Sequence, residues 1–379
     1  MDGSFRIGRL FGIPILIHFT FLLIIPLFAW IIASQITTTT ELIQGIYHVP
    51  IDTSLITAGL MPYVLGTIVS FGLFGGVLVH ELAHSLIAKR NGIGINSITL
   101  LIFGGIASME DRIPDPMVEL PMALVGPLTS LLVGMLCSGL VYIVPSVIAD
   151  PAVAGVLIFV FGYLGILNII LFAFNLLPAF PMDGGRVLRA WLAKRMPLHR
   201  ATKIAADIGK GFAILFAIIA IIPPYINPLL LLIAFFIYIG ASQETTSVKY
   251  SVLLQDIRVG NIMSSPVVTV APALPVMRVI EMMYATKHLG FPVVDRDVLV
   301  GMVTVADVHN LPSIDRDAKQ VRDVMRRGVI AVAPETPVMD VLRIMGAKDI
   351  GRVPVVDKDK LVGIVTRTDI LKVVELKEI

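Results

Sequence analysis

The chain has 379 residues, of which 56% are hydrophobic and only 15% are charged, and its mean hydropathy is +0.87. A soluble protein of this size cannot bury so much apolar surface, so the composition predicts a polytopic membrane protein. The formal net charge of +2 gives no reason to expect nucleic acid as a partner. The single cysteine, Cys137, excludes an internal disulfide and a cysteine-based zinc site, and we expect it to pack among apolar residues.

Basic residues are distributed unevenly along the chain. Of the 30 lysines and arginines, 13 fall in the first 250 residues and 17 in the last 129. This asymmetry predicts a membrane-embedded domain followed by a soluble tail. The expected boundaries are residues 1–240 for the membrane domain, 241–256 for a linker, and 257–313 and 318–375 for two soluble units.

Six apolar segments predict a polytopic α-helical fold with about six spans. They cover about residues 10–33, 60–88, 120–144, 153–177, 211–222 and 229–240. The last two are short for a full crossing, so they predict either two passes or one re-entrant hairpin. His18 lies in the first segment, where hydrogen-bonded packing is favoured over an approach to a metal.

The second apolar segment ends in the sequence HELAH, residues 80–84. On a helix, His80 and His84 leave the same face, and Glu81 stands beside the first of them. This H-E-x-x-H order suits a catalytic zinc, with two imidazole ligands and a carboxylate that takes a proton from water. The alternative is that both histidines only bond neighbouring helices. Ionisable groups at membrane depth are costly and usually functional, which favours the zinc site.

Residues 95–110 are β-prone around Gly104 and Gly105, and they predict a hairpin or strand pair that dips toward the bilayer. Two roles are equally open for it. One is a plain connection between spans. The other is an exposed strand edge that pairs with an unwound substrate.

Two histidines and a water leave a catalytic zinc one protein ligand short. The sequence NLLPAFPMDGGR, residues 175–186, offers Asp183 just after the end of the fourth span. Prolines stop the helix before it, and a carboxylate at membrane depth has to line a cavity or bind a cation. The alternatives are a salt bridge to Arg186 or a helix cap. Asn175 could steady a carbonyl oxygen in the transition state, or simply bond across helices.

The charges also predict the orientation in the membrane. All 13 basic residues of the first 250 fall on one side of the six-span arrangement, among them Arg112, whereas the opposite loops at 35–58, 145–152 and 223–228 contain none. By the positive-inside rule both termini are cytoplasmic and HELAH lies toward that face. The expected location is the plasma membrane.

The soluble tail contains an internal repeat with an offset of 62 residues. PVVD at 292–295 recurs at 354–357, and GMVTVAD at 301–307 recurs as GIVTRTD at 363–369. Each copy alternates short β-rich runs with helical ones, which predicts a small α/β unit present twice.

HELAH together with NLLPAFPMDGGR closely resembles the site-2 protease family of intramembrane zinc metalloproteases, in the six-span branch that carries cystathionine-β-synthase-type (CBS) domains. The resemblance implies one Zn²⁺ per chain on His80, His84 and Asp183, with Glu81 as general base and Asn175 near the oxyanion. It also implies substrates that are single-span membrane proteins, cut within the bilayer near the cytoplasmic side. Ser130 departs from the family, where many relatives carry Asn at the end of GPLTS, residues 126–130.

The repeat resembles a tandem pair of CBS domains. In that family the Thr and Asp of G-x-V-T-x-x-D contact the phosphate and ribose of an adenine nucleotide, and Thr304, Asp307, Thr366 and Asp369 match. The resemblance therefore implies regulation by ATP, ADP or AMP. Many such pairs bind no ligand and serve for dimerisation, so a homodimer through these domains is also expected.

Two other classes of protein remain open at this point. CBS pairs also occur in ion channels and transporters, but residues 1–250 show no internal repeat of the kind transporters carry. A catalytically inactive, metal-binding relative would carry the same residue types. The zinc content and the effect of changing Glu81 separate all three.

Overall fold

The computed structural model describes residues 3–101, 104–109, 115–222, 226–312, 316 and 318–377. The chain divides into two compact units, Met1–Thr246 and Ser247–Ile379. Arg112 and part of the loop at 223–228, both used in the orientation argument, lie outside the described residues.

The first unit is mainly helical. Its helices are α1 (Phe21–Ser34), α2 (Ile36–Tyr47), α3 (Met61–Arg90), α4 (Pro116–Val147), α5 (Pro151–Asn175), α6 (Asp183–Ala193), α7 (Leu198–Ile221) and α8 (Pro228–Leu254), the last of which continues into the second unit. Within the described residues, α3, α4, α5, α7 and α8 are each long and apolar enough to span a membrane. The pair α1 and α2, bent by 73° at their junction, would make a sixth span. The chain is a multi-pass membrane protein, as its composition predicts.

The predicted first span is partly wrong. Residues 10–33 do not form one helix, because Ser4–Leu10 and Ile13–His18 are strands β1 and β2, and the helix begins only at Phe21. The side chains of Ile13 and Ile15 are buried with Ile98 beneath the sheet. A short apolar run looks the same in a buried strand and in a helix, so hydropathy alone did not separate them.

Four other segments differ from their predicted extents. The polar segment after the first span contains α2, which buries Ile43 and Tyr47 in the main core of the unit. The two short apolar pieces at 211–222 and 229–240 are parts of α7 and α8, which have 24 and 27 residues. Each is therefore long enough for a full crossing. Most of the segment expected as a linker, 241–256, continues α8.

A four-stranded sheet completes the first unit, with the order β1-β2-β3-β4. Strands β3 (Ile95–Leu101) and β4 (Gly104–Met109) form an antiparallel hairpin, and β2 joins them in parallel through β3. This is the strand pair predicted around Gly104, although Glu110 lies outside the described residues. β4 is an edge strand of this sheet.

The second unit contains the predicted repeat. The first copy has α9 (Val276–Thr286), β5 (Gly290–Asp295), β6 (Val298–Thr304) and α10 (Val305–His309), and the second has α11 (Val321–Val324), α12 (Val338–Ala347), β7 (Arg352–Asp357), β8 (Lys360–Thr366) and α13 (Arg367–Leu376). One sheet with the order β5-β6-β8-β7 joins them. The unit has two hydrophobic cores, one that contains Phe291 together with Val321 of α11, and one that contains Val353 together with Leu254 and Val259, which precede the first copy.

Candidate active site

Three side chains from two distant parts of the sequence meet at one point in the first unit. His80 and His84 leave the same face of α3, and they are only 4% and 7% exposed. Their Nε2 atoms lie 3.1 Å apart, and each lies 3.1 Å from Oδ2 of Asp183. In the described part of the chain, this is the group of His, Cys, Asp and Glu side chains that could hold a metal ion.

The second nitrogen of each imidazole contacts α4. Nδ1 of His84 lies 2.6 Å from the carbonyl oxygen of Met122, which can only accept, so the proton of this ring is on Nδ1. Nδ1 of His80 lies 2.9 Å from Oγ of Ser130. The contact to Met122 leaves the Nε2 lone pair of His84 free for a cation, and the Ser130 hydroxyl can accept from Nδ1 of His80, which allows the same arrangement for that ring.

The donor set fits a zinc ion. Three electron-rich atoms at 3.1 Å from one another repel unless a cation or a proton lies between them. Ligand atoms on a tetrahedral zinc with bonds of about 2.0 Å are separated by roughly 3.3 Å, which is close to the spacing found here. Two imidazoles and one carboxylate also match the ligand types of catalytic zinc sites, which keep a fourth position open.

Gly126 lets α4 approach the two histidines. A Cβ atom built on Gly126 would overlap Nε2 of His84 and come within 2.8 Å of Nε2 of His80. The absence of a side chain is therefore a requirement of the site, because Ser130 and Met122 of the same helix hold the histidines at this close distance.

Asp183 is positioned by a break in the chain between α5 and α6. Residues 176–182 form turns that include Pro178 and Pro181, and α6 begins at Asp183 itself. Two residues into the helix, a Cβ on Gly185 would clash with the backbone of Phe180, so the turn folds tightly on α6. Arg189, six residues after Asp183 in α6, binds Glu119 of α4.

A cavity of about 570 Å³ opens next to this cluster. Glu81 and Asn175 both lie in its wall, together with His80, His84 and Asp183. Nδ2 of Asn175 donates a hydrogen bond to the carbonyl oxygen of Leu171 in its own helix, which uses one of its two amide protons. The structure thus gathers all five residues that the sequence proposed for the catalytic site.

The edge strand β4 forms one side of the same cavity. Residues 104–107 and Met109 line it, and a Cβ on Gly105 would come within 2.5 Å of Cγ of Glu81. Glu81 therefore packs against the face of β4 at Gly105.

Two other residues considered in the sequence have clear positions. His18 lies 2.9 Å from the hydroxyl of Thr20 and is outside the wall of the cavity, which agrees with packing rather than metal binding. Ser130, which stood out only as a departure from the family, contacts a histidine of the site. The carbonyl of Met122 could not have been found from sequence, because a backbone acceptor carries no residue signature.

In the second unit, the two Thr and Asp pairs begin helices. Oγ1 of Thr304 donates to Oδ2 of Asp307 at 2.6 Å, and Oγ1 of Thr366 donates to Oδ2 of Asp369 at 2.7 Å. Both pairs also form capping boxes at the starts of α10 and α13, so each has a structural role without any ligand. Thr366 and Asp369 line a cavity of about 420 Å³.

Comparison with known proteins identifies the families that the two units match. The model of peptidase family M50 matches residues 68–153 and 137–218, and that of the CBS domain matches residues 259–312 and 321–376. Zinc metalloprotease MJ0392 of Methanocaldococcus jannaschii is 35% identical over 100% of this chain and 99% of its own length. Rip3 of Mycobacterium tuberculosis is 27% identical over 99% of this chain and 94% of its own length.

Among solved structures, the site-2 protease from Methanocaldococcus jannaschii is 34% identical, covers 64% of this chain and 95% of its own, and superposes with a TM-score of 0.41. The match to MJ0392 extends over the membrane unit and both repeats, so the whole arrangement is shared with a zinc metalloprotease. The chain belongs to the site-2 protease family of zinc metalloendopeptidases, peptidase family M50, and carries a tandem pair of CBS domains.

Proposed function

We propose that this enzyme cleaves the transmembrane segments of single-span membrane proteins near the cytoplasmic face of the plasma membrane, with His80, His84 and Asp183 as its zinc ligands. The observation that carries the proposal is the convergence of the two Nε2 atoms and one Oδ2 atom beside a cavity that also holds Glu81. A zinc ion at this point would acidify a water molecule and polarise the scissile carbonyl.

The remaining residues of the cavity then have distinct tasks. Glu81 takes the proton from the attacking water and delivers it to the leaving amine, since it lies beside His80 in the cavity wall. Asn175 has a second amide proton beyond the one bonded to Leu171, and donates it to the oxygen of the carbonyl under attack.

A helical substrate hides its carbonyl groups in hydrogen bonds and has to be extended before it can be cut. The edge of β4 could hold the extended substrate, because this strand lines the cavity and is paired with β3 on one side only. A substrate strand added to β4 would satisfy its own backbone groups there and pass Glu81. We therefore favour substrate binding over a plain connecting role for this hairpin.

The position of the site along α3 supports the proposed orientation. His84 lies six residues before Arg90, and Lys89 and Arg90 form the last turn of this helix. Basic residues at the end of a span favour the cytoplasmic side. Both termini are cytoplasmic in this arrangement, and the bilayer surrounds the outward-facing apolar side chains of the spans, such as Phe71, Leu136 and Phe235.

The CBS pair regulates the enzyme through an adenine nucleotide in this proposal. The cavity lined by Thr366 and Asp369 supports it, because a carboxylate can accept the hydroxyl protons of a ribose. The pair also provides a surface for a homodimer. If no nucleotide binds, assembly is the role that remains for these domains.

The test is cleavage of a model single-span substrate by protein reconstituted in liposomes, together with metal analysis. The variant Glu81→Gln keeps its zinc and loses cleavage, because the ligands are intact and the base is gone. Glu41→Gln, on the exposed side of α2, serves as the control and stays active. Full activity of Glu81→Gln would contradict the assignment of the base. A zinc-free wild type that conducts ions in the same liposomes would favour a channel, and a zinc-bound wild type without cleavage would indicate an inactive relative.

A further inference from the structure

The two CBS copies contact each other through equivalent segments. The backbone of Ser264 pairs with that of Ile364 in the second copy, and the backbone of Arg326 pairs with that of Met302 in the first. These residues correspond to one another at the repeat offset of 62, as 326 and 264 show. The unit therefore contains two equivalent crevices, each formed by the Thr and Asp of one copy and the early segment of the other.

We name the two crevices by their Thr and Asp pairs. The second-copy crevice is formed by Thr366 and Asp369 with Ser264, all in the wall of the 420 Å³ cavity. The first-copy crevice is the place where Thr304 and Asp307 meet Arg326.

The second-copy crevice suits a phosphorylated nucleoside. Three cationic side chains lie in its wall, those of Lys287, Arg352 and Lys372, and Asp369 is the acidic residue among the described residues that line it. Both hydrogen bonds that the Asp369 carboxylate accepts from described residues go to Oδ2, which leaves Oδ1 for ribose hydroxyls. The cations can neutralise phosphates, and apolar residues of the wall, including Pro266 and Val268, can contact a base.

In the first-copy crevice the corresponding carboxylate, that of Asp307, has hydrogen bonds to both of its oxygens. Nε of Arg326 donates to Oδ1 of Asp307 at 2.6 Å, while Oδ2 accepts hydrogen bonds from the backbone N–H and the hydroxyl of Thr304. The Asp307 side chain is only 8% exposed. A ribose would have to displace a charge-assisted hydrogen bond that is already made within the protein.

The charge of the first-copy crevice also differs. At the offset of 62 residues, Asp349 stands where the second-copy crevice has Lys287, and Asn310 stands where it has Lys372. Two cations that would meet a phosphate are thus replaced by an anion and a neutral amide. The exchange of Ser264 for Arg326 and the loss of these two lysines disfavour the same ligand for separate reasons.

We infer that the CBS pair binds one phosphorylated nucleoside per chain, in the second-copy crevice, and that in the first-copy crevice Arg326 engages the Asp307 carboxylate in its place. The inference rests on the proposed nucleotide binding and adds its stoichiometry and its position. The regulatory signal then enters through the second copy alone.

Equilibrium dialysis of radiolabelled ATP against the full-length protein in detergent tests this inference. The expected result is one ATP per chain for the wild type. Asp369→Asn abolishes binding, whereas the matched variant Asp307→Asn leaves it unchanged. Because Asp369 also caps α13, Lys372→Glu provides a second variant with the cap intact, and it weakens ATP binding by about tenfold or more through charge reversal.

The role of Arg326 has its own pair of variants. Arg326→Ser copies Ser264 and opens the first-copy crevice to a second, weaker equivalent of ATP. The neighbouring exposed Arg327→Ser stays at one equivalent. Two equivalents in the wild type, loss of binding on Asp307→Asn instead of Asp369→Asn, or an Arg326→Ser variant that stays at one equivalent would each overturn the inference while nucleotide binding itself stands. Absence of binding at millimolar ATP would overturn both.

Discussion

Nε2 of His80 lies 3.1 Å from Oδ2 of Asp183, although 103 residues separate them in the sequence. The helices that carry them are both attached to α4. Ser130 and Met122 of α4 hold the imidazoles of α3, and Glu119 of the same helix binds Arg189 of α6, the helix that Asp183 begins. The metal-ligand geometry is thus set by one helix that contributes none of the proposed ligands.

The fit of α4 against the histidines predicts a strong effect of a single methyl group. Gly126→Ala places a Cβ where the imidazoles of His80 and His84 now lie, so we expect loss of bound zinc and of cleavage. Zinc content of the purified variant measures this directly. Gly139→Ala on the same helix has no atom within 4 Å of its new Cβ and should retain both zinc and activity. Normal zinc content in Gly126→Ala would mean that α4 does not confine the site.

Ser130 tests the orientation of a single ligand. Ser130→Ala removes the side chain that contacts Nδ1 of His80, so the ring is less well fixed and zinc affinity falls by roughly 10–100-fold. Competition with a chelator measures the affinity. Ser138→Ala is the matched control. Ser138 lies eight residues after Ser130 on α4, and its hydroxyl contacts Tyr47 of α2 instead of a histidine. Equal zinc affinity in the two variants would show that the contact between Ser130 and His80 does not contribute to zinc binding.

We expect Asn175 to affect the rate of peptide-bond cleavage and not the binding of zinc. Asn175→Ala removes the amide that faces the cavity, and we expect kcat to fall by roughly 10²–10³-fold with KM and zinc content little changed. Steady-state kinetics on the model substrate separate the two constants. A variant that loses zinc, or whose KM alone rises, would place Asn175 in metal support or substrate binding instead.

The sequence was most informative where chemistry requires particular side chains at particular spacings. His80, Glu81 and His84 could be found from helical periodicity, and Asp183 from a carboxylate placed after helix-breaking prolines at membrane depth. The residues that position the ligands could not be predicted from the sequence. A backbone carbonyl such as that of Met122 can belong to any residue, and the value of Gly126 depends on which helix lies opposite.

The fold shows the same division between local and long-range information. The repeat of the second unit was readable because each copy carries its own periodic pattern. The first strands were misread as part of a span, since the burial of Ile13 and Ile15 depends on a partner strand some 80 residues later, around Ile98. Contacts of that range leave no trace in a local hydropathy pattern.

The ion pair between α4 and α6 gives a final prediction, about stability. Arg189 and Glu119 have side chains that are 5% and 1% exposed, and Arg189 also binds Glu244 of α8. Arg189→Met leaves Glu119 buried without its cation, which costs about 3–5 kcal/mol of unfolding free energy. Unfolding in detergent micelles titrated with sodium dodecyl sulfate measures the change, and Glu119→Gln combined with Arg189→Met should recover part of it, because the buried charge is then gone.

The control for this pair is Asp207→Asn, which removes the 58%-exposed partner of Lys210 on α7. An exposed ion pair contributes about 0–1 kcal/mol, so this variant should unfold almost as the wild type does. If Arg189→Met were no more costly than Asp207→Asn, the buried pair would not be what joins α6 to α4. The position of Asp183 would then have to be set by the turn through Pro178 and Pro181 alone.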